Sequence, residues 1–401
     1  MTTGPTEVSY EVLSAGNRRV LLPHLEEFNE GTLVHTLTML QEILRTTYEV
    51  ILFPGSGRIA LESGVASVLE PGDKALAIVP GLFGEWMVEI LARAGVKTTV
   101  LRVAEGQPLD LAKVEEALTA SDYKAVTMVH HETSTGAAYP LEELGQLVQS
   151  AGALFLVDAV SSVGGMPLET DAWHIDISMS TSHKAIGSLV GIGFASVSPR
   201  AWFAMESRKQ KSSSYSYDLL RWKEMWIPIE RGGSLVFGWR RPPITLPTHS
   251  IYALETACEQ VLSEGLSRRI ERHRIAAKAL REGVSALGCQ LFAHPEVASN
   301  TVTSVTVPPG VEAGAILEGM ERLGIAVSPG LDSFSSKMFR VGHMNLTATW
   351  PCVISGLAAL GSVLGALDFR CDRNAALEAA FSVFEAEGWP VVEQCSAQGG
   401  G

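Results

Sequence analysis

The chain has 401 residues, 46% hydrophobic and 19% charged, a length and composition that exclude disorder of the whole chain and suit two or three domains with a buried core. Lysine and arginine number 31 against 44 aspartates and glutamates. Because the resulting net charge of −13 repels phosphate backbones, we expect no nucleic-acid partner.

Membrane, secretion and disulfide signals are missing from the sequence. No apolar run reaches the roughly 18–20 residues of a membrane span, and the first residues lack the basic start and apolar stretch of a secretion signal. The five cysteines are widely spaced and form no CxxC pair, which argues against a disulfide framework and a cysteine-based metal site. We therefore expect a cytoplasmic protein with no membrane partner and no metal.

Residues 50–200 alternate short apolar runs with amphipathic stretches. The runs are rich in β-branched residues and do not alternate strictly, which is typical of strands buried on both faces. Seven strands are predicted, at 50–54, 75–80, 98–103, 125–131, 153–159, 177–182 and 191–198, with helices between them at 58–69, 84–95 and 140–151. This alternation predicts an α/β fold whose large domain has a mainly parallel seven-stranded sheet covered by helices.

The pattern changes after about residue 200. Residues 205–245 are basic, aromatic and irregular, and we assign no role to the stretch 207–241. A helical stretch with few helix-breaking residues is expected from Ile251 to about Leu287, where it could link two domains. Beyond it, strands are predicted at 301–308, 324–330 and 338–343, and helices at 311–323 and near 350–366. These elements predict a smaller C-terminal α/β domain, followed by a frayed tail at 396–401.

A glycine-rich turn, Gly55–Arg58, follows the first predicted strand and opens a helix. Ligands of parallel sheets bind at the carboxyl ends of strands, where glycines allow close approach and a helix N-terminus attracts anions. The turn is therefore a phosphate cradle, a plain strand-to-helix turn, or a dinucleotide fingerprint made of Gly55, Gly57 and Ala60. The fingerprint is disfavoured because Asp73, the nearest suitable acid, precedes the second strand.

Three later strand ends also carry polar residues. The hydroxyl cluster at 131–136 can bind a ligand oxygen or simply shape a turn. Asp158 ends an apolar run, where a carboxylate needs a partner such as a pyridinium nitrogen, or caps a loop. Lys184 follows the next strand; it is either a solvated surface lysine or a desolvated nucleophilic amine. Together these features predict a site for an aldehyde cofactor with a phosphate tail.

Several motifs, taken in order, resemble those of the class V, fold-type I pyridoxal-phosphate aminotransferases. The branch they resemble most contains alanine–glyoxylate, serine–glyoxylate and serine–pyruvate aminotransferases. The motifs are TTGPTEVSYEVL, SGRIALESGVASVLEPGD, HETSTG, LVDAVSSVGG, TSHKAIGS and KMFRVGHM, and they span nearly the whole chain. The resemblance implies pyridoxal 5'-phosphate (PLP) as cofactor, a homodimer, and ping-pong Schiff-base transfer of an amino group from alanine or serine to glyoxylate or pyruvate.

The resemblance assigns cofactor-binding roles residue by residue. Ser56, Gly57 and Arg58 match the family's phosphate-binding turn. Thr245 matches a residue that reaches the phosphate bound by the partner subunit, and Phe83 falls where an aromatic ring stacks on the cofactor. These residues are therefore expected to hold the cofactor's phosphate and one face of its ring.

The remaining assignments surround the cofactor ring. Val160 is expected on the ring's other face and Thr133 near the ring oxygen, while His183 takes a position beside the lysine that often holds glutamine. Asp158 matches the carboxylate at the pyridine nitrogen, and Lys184 matches the Schiff-base lysine. The last two are the predicted catalytic residues.

Arg340 matches the arginine that grips the substrate carboxylate, since its planar fork suits bidentate pairing. Three positions depart from the family pattern. Pro242 stands where some members have tyrosine, Asn345 where glycine is common, and His183 where glutamine is frequent. The departures leave the amino donor open.

The resemblance also implies domain bounds. Residues 1–19 are expected to pack on the small domain and the active site, 20–250 to form the large PLP-binding domain, and 251–395 to form a linker helix and the small domain. The tail at 396–401 is expected to be disordered.

Other functions were weighed against transamination. Pyridoxamine–pyruvate aminotransferase shares the motifs but needs no phosphate cradle. Cysteine desulfurases and related lyases use a mobile-loop cysteine near the substrate arginine, yet 324–343 contains none and Cys352 is the nearest. A nicotinamide dehydrogenase remains an enzyme alternative. A non-catalytic binding protein is disfavoured because Lys184, Asp158 and Arg340 are all retained.

Overall fold

The computed structural model describes residues 1–19, 21, 27–212, 214–226, 229–231, 234–236 and 242–389. Its strands are β1 (Glu49–Gly55), β2 (Lys74–Val79), β3 (Lys97–Arg102), β4 (Ala125–Val129), β5 (His131–Glu132), β6 (Ala137–Ala138), β7 (Leu154–Asp158), β8 (Ile177–Thr181), β9 (Gly191–Val197), β10 (Ile229–Arg231), β11 (Ser234–Val236), β12 (Val302–Thr306), β13 (Ser328–Pro329) and β14 (Met338–Gly342).

The α-helices alternate with these strands and cover them. They are α1 (Tyr10–Ala15), α2 (Val34–Ile43), α3 (Gly57–Val68), α4 (Leu82–Arg93), α5 (Leu111–Thr119), α6 (Leu141–Ser150), α7 (Pro199–Glu206), α8 (Leu219–Trp226), α9 (Thr248–Glu264), α10 (Leu266–Ala286), α11 (Ala313–Arg322), α12 (Trp350–Ala366) and α13 (Arg373–Ala386). A π-helix spans Glu27–Leu33, and 3₁₀ turns span Pro295–Val297, Asp332–Phe334 and Asn345–Thr347. Within the described residues, no helix has both the length and the apolar character needed to cross a membrane.

A seven-stranded sheet with the order β1-β9-β8-β7-β4-β2-β3 forms the larger part of the molecule. The pairs β8–β7, β7–β4, β4–β2 and β2–β3 are parallel, whereas β9 is antiparallel to both of its neighbours. All residues of β4, β7 and β8 are buried, as predicted from runs that do not alternate strictly between apolar and polar residues. The predicted α/β fold with a mainly parallel seven-stranded sheet is confirmed.

A second, antiparallel sheet has the order β12-β14-β13. It shares a separate hydrophobic cluster with α10–α13, in which Phe339, Leu360 and Phe384 are buried. The larger cluster includes residues of α9 such as Tyr252, whereas the smaller cluster takes in α10 from Ile275 onward. The two hydrophobic cores therefore meet along α9 and α10. The domain bounds taken from the resemblance remain a proposal.

The helical stretch expected from Ile251 to about Leu287 is present, but as two helices, α9 and α10, with Gly265 between them. Gly265 has φ of 85°, in the left-handed region that glycine adopts readily. The strand expected at 324–330 is also shorter than predicted. Only Ser328 and Pro329 of this stretch pair with β14, and the Gly330 amide adds one hydrogen bond to the Met338 carbonyl at 3.0 Å.

The stretch 205–245, expected to be irregular, includes the helix α8 and the short pair β10–β11. In α8, Trp222 is fully buried and meets Phe53 of β1 edge to face, with ring centroids 5.3 Å apart. The hydrophobic pattern of the sequence did not predict this helix, because Trp222 is buried by contact with a strand far away in the chain. Parts of the stretch 207–241, among them 237–241, and the tail at 396–401 lie outside the described residues.

Candidate active site

Eight of the residues selected from the sequence line one pocket of about 430 Å³. They are Ser56, Gly57, Arg58, Phe83, Asp158, Val160, His183 and Lys184. The chain brings them together because β1, β7 and β8 run in the same direction, so that the residues following each strand meet at one edge of the sheet. Phe83 joins them from the first turn of α4.

The turn after β1 forms a narrow cradle at the start of α3. Ser56 is the N-cap residue of this helix, with extended backbone angles, and Gly57 is the first helical residue. A Cβ atom at Gly57 would collide with the Val160 side chain, so only glycine leaves the cradle open. The first amides of a helix this long favour an anion, and the closeness of backbone to Val160 suits a phosphate on a flat ring.

Arg58 extends this cradle outward. Its side chain is exposed, and its guanidinium lies 4.0 Å from the centroid of the Trp86 ring. Trp86 in turn meets Phe83 edge to face, with centroids 4.8 Å apart. The stacking keeps a positive charge at the mouth of the pocket and supports the position of Phe83.

Asp158 is buried at the end of β7, with 4% of its surface exposed. Its Oδ1 accepts a hydrogen bond from the Val160 amide at 2.9 Å. Burial raises the pKa of Asp158 to about 6, against the opposing effects of that hydrogen bond and of the positive charge of Lys184. A carboxyl group in such surroundings gains from a cationic N–H partner, which a protonated pyridine nitrogen provides.

Lys184 lies just beyond β8, where its amine Nζ donates a hydrogen bond to the Thr3 carbonyl at 2.5 Å. Burial lowers the pKa of Lys184 to about 8; the charge of Arg340 acts in the same direction and that of Asp158 opposes it. A substantial neutral fraction is therefore present near pH 8, which a nucleophilic amine requires.

His183 lines the same pocket next to Lys184. Its Nδ1 lies 3.0 Å from the Thr181 hydroxyl. Burial, together with the charge of Lys184, lowers the pKa of His183 to about 4. His183 is therefore neutral at physiological pH and offers a hydrogen-bonding ring without a second charge beside the lysine.

Arg340 projects from β14 and is 4% exposed. Its Nε donates to the Pro329 carbonyl at 2.8 Å and its Nη1 to the Thr133 carbonyl at 3.0 Å. Burial lowers the pKa of Arg340 to about 10, although the carboxyl of Glu132 acts in the opposite direction. Since both hydrogen-bond acceptors are neutral carbonyls, the guanidinium charge remains available for a carboxylate ligand.

Three of the sequence-selected residues are not among the described residues that line the pocket: Arg340, Thr133 and Thr245. Thr133 is buried beside the site, where its hydroxyl donates to the Ser161 hydroxyl at 2.7 Å and its carbonyl contacts Arg340. Thr245 is exposed on the segment before α9 and is not among the described residues that line the pocket. A single chain therefore does not bring Thr245 to this site.

Glu132 is a residue that sequence reasoning left without a role. It is fully buried; its Oε2 accepts from the amides of Phe83 and Gly84 at 3.0 and 3.3 Å, and its Oε1 from the hydroxyl of Ser134 at 2.5 Å. Burial raises its pKa to about 7. The desolvation argument applied to Asp158 also selects Glu132, since both acids follow buried apolar runs.

Fold and site together define a class of protein. The chain matches the family model described as Aminotransferase class-V over residues 38–348, so it belongs to the class V aminotransferases. The resemblance found in the motifs is thus confirmed, and the protein is a transaminase. An uncharacterized aminotransferase of Methanocaldococcus jannaschii is 35% identical over 371 residues, which cover 90% of this chain and 93% of that protein.

Two crystal structures closely match the whole chain. The ureidoglycine–glyoxylate aminotransferase from Bacillus subtilis superposes with a TM-score of 0.89 at 29% identity, over 96% of this chain and 97% of that one. The pyridoxamine–pyruvate aminotransferase from Mesorhizobium loti superposes with a TM-score of 0.87 at 29% identity, over 96% of each chain. The family implies PLP as cofactor, and the glycine cradle, the buried Asp158 and the desolvated Lys184 fit such a group.

Proposed function

We propose that this protein transfers the amino group of a small amino acid, alanine or serine, to glyoxylate or pyruvate with PLP as cofactor. The observation that carries the proposal is the shared pocket in which Lys184 and Asp158 lie with the Ser56–Arg58 turn. The motif resemblance supports the small donor. The B. subtilis and M. loti relatives, whose names include glyoxylate and pyruvate, support the acceptors.

The chain's own residues would hold the cofactor at three points. Ser56, Gly57 and the first amides of α3 would bind the phosphate, with Arg58 adding positive charge. Asp158 would keep a proton on the pyridine nitrogen, and Lys184 would hold the group covalently through its amine. When bound, PLP supplies an aldehyde carbon that exchanges amines and a ring that withdraws electrons from the substrate α-carbon.

Proton transfer would fall to Lys184. Its lowered pKa of about 8 leaves part of the amine neutral and able to accept the α-carbon proton, which the same group can then return as an acid. Arg340 would orient the substrate by pairing with its carboxylate. His183 and Thr133 would border the ring without adding charge.

Thr245 supports an assembly proposal. We infer a homodimer in which Thr245 of one subunit reaches the phosphate of the other, because this residue is exposed in the single chain and matches such a position in the family. The small domain, the large domain and the segment 1–19 are proposed with the bounds given by the resemblance.

Replacing the lysine tests the proposal directly. Lys184→Ala should remove the visible absorption of the bound cofactor and reduce turnover of alanine or serine with glyoxylate by at least about a thousandfold, because both covalent holding and proton transfer are lost. Lys113→Ala, an exposed lysine on α5, is the matched control and should behave as wild type. Full absorption and turnover in the Lys184 variant would refute the assignment.

Transfer from free pyridoxamine to pyruvate is a second candidate, favoured by the similarity to the M. loti enzyme. The intact Gly57 cradle and the cation of Arg58 favour a phosphorylated cofactor instead. Supplying free pyridoxamine and pyruvate to the PLP-free protein distinguishes the two. Stoichiometric formation of pyridoxal and alanine at a rate matching the amino-acid reaction would favour the second candidate.

A further inference from the structure

Asn345 connects two parts of the molecule that lie near Lys184: helix α10 and the residues close to the N-terminus. The residue is 5% exposed and has φ of 55°, in the left-handed region. Its side-chain oxygen accepts a hydrogen bond from Arg269 at 2.7 Å, and its side-chain amide donates to the Glu7 carbonyl at 3.0 Å. Its backbone N–H donates to His273 at 3.0 Å. The side chain therefore acts as acceptor on one side and donor on the other.

The acceptor side supports the turn that follows Lys184. The same Nη2 of Arg269 that donates to Asn345 also donates to the Ala185 carbonyl at 2.8 Å, and its Nε donates to the Gly164 carbonyl at 3.2 Å. Arg269 is buried on α10. Asn345 thus helps to hold the guanidinium, together with Glu264, whose carboxylate accepts from its Nη1 at 2.8 Å, and that guanidinium holds the backbone next to Lys184.

The donor side supports the N-terminal segment, residues 3–7, which covers Lys184. The amide of Thr6 donates to the His183 carbonyl at 3.1 Å, and its hydroxyl donates to the Lys184 carbonyl at 2.9 Å. The Thr3 carbonyl accepts from Lys184 Nζ, and a Cβ atom at Gly4 would fall 2.5 Å from that nitrogen. The segment packs directly on the lysine amine.

We propose that Asn345 is a positioning residue for Lys184, because it binds both the N-terminal segment, which covers the lysine, and Arg269, which holds the turn after it. With both in place, the Thr3 carbonyl fixes the direction of the amine. An amide side chain meets both demands at once, since Arg269 requires an acceptor and the Glu7 carbonyl requires a donor. The inference rests on the proposed function in one respect, namely that Lys184 is the residue that carries out the reaction.

Two substitutions separate the two sides. Asn345→Asp keeps an oxygen for Arg269 but replaces the donor to Glu7 with a second acceptor. Asn345→Gly removes both contacts and readily adopts a φ of 55°, so it keeps the backbone if the aspartate variant does not fold. Asn17→Asp, at an exposed position, makes the same chemical and charge change and serves as the control.

The primary readouts use the cofactor-free protein. Hydrogen–deuterium exchange of residues 2–9 should become roughly fivefold faster in both Asn345 variants, since each loses a buried hydrogen bond to the segment. Reductive methylation of Lys184 by formaldehyde and a borane, followed by mass spectrometry, should accelerate by a similar factor. In the PLP-loaded protein, kcat should fall about tenfold with little change in KM for the oxo acid, because Arg340 is untouched.

The outcomes distinguish this inference from the proposed function. Wild-type exchange and Lys184 methylation in both Asn345 variants would overturn the positioning role, even if the protein is an active transaminase. If the wild-type protein shows no transamination but the variants expose the segment and the lysine, the positioning role stands and the proposed function fails. A change of the same size in Asn17→Asp would also overturn the inference, since it would trace the effect to charge alone.

Discussion

Burial sets the proton affinity of the residues that would do the chemistry. Asp158 and Lys184 line one pocket, and burial raises the pKa of the acid to about 6 and lowers that of the base to about 8. Each charge partly offsets the effect of burial on the other, while Arg340 disfavours the charged lysine. The proton affinity of Lys184 thus depends on side chains from the ends of different strands.

Substitutions near Lys184 should move the pH at which its amine becomes neutral. In wild type, methylation of Lys184 in the cofactor-free protein should rise with pH through a midpoint near 8 and then level off, since only the neutral amine reacts. Arg340→Gln removes a positive charge, so the midpoint should rise by roughly 0.5 to 1 pH unit. Asp158→Asn removes a negative charge, so the midpoint should fall by a similar amount. Shifts of the same sign in both variants would contradict this account.

The side chains of the candidate active site are positioned by the first turns of helices and by the ends of strands. Glu132 is one example, because its carboxylate binds amides at the start of α4, while the next residue, Thr133, accepts a hydrogen bond from Arg340. A carboxylate at a helix N-terminus is favourable because it meets unpaired N–H groups. Glu132 thus connects the helix that carries Phe83 to the loop that contacts Arg340.

The break between α9 and α10 should depend on Gly265. Gly265→Ala forces an L-residue into a φ of 85°, which should lower the free energy of unfolding by about 1 kcal/mol although the surrounding space is open. Gly314→Ala, at an exposed position in α11 that is also open, should raise it by up to about 1 kcal/mol through helix propensity. Urea denaturation of both variants provides the measurement, and stabilisation by Gly265→Ala would contradict the backbone argument.

At the scale of the molecule, the site lies where two cores meet. Residues 3–7 contact Lys184 of the large sheet, and Thr3 also donates to Ser328 of the small sheet at 3.0 Å. The segment thus crosses from one core to the other over the lysine. Thr245 is not among the described residues that line the pocket, and the proposed homodimer assigns it to the site of the other subunit.

Mixed subunits test the homodimer proposal. Thr245→Val should lower PLP affinity roughly fivefold, the effect of one lost hydrogen bond, while Lys184→Ala abolishes turnover. If Thr245 serves the other subunit, a hybrid of the two variants has one site with both native residues and regains high-affinity activity at limiting PLP. A mixture no more active than the sum of its separate variants, or a monomer in sedimentation, would exclude the shared site.

The sequence by itself determined the strands of the large sheet and the residues at their ends. Runs such as 153–159 are mainly apolar because the strands are buried on both faces. Such a run can be recognised in the sequence without knowledge of the structure. The order of motifs identified the family. Tertiary structure decided the rest: Glu132 acquired a role only when α4 packed on its loop, Asn345 only when α10 and residues 3–7 approached it. Such contacts join residues far apart in the chain, and no local periodicity records them.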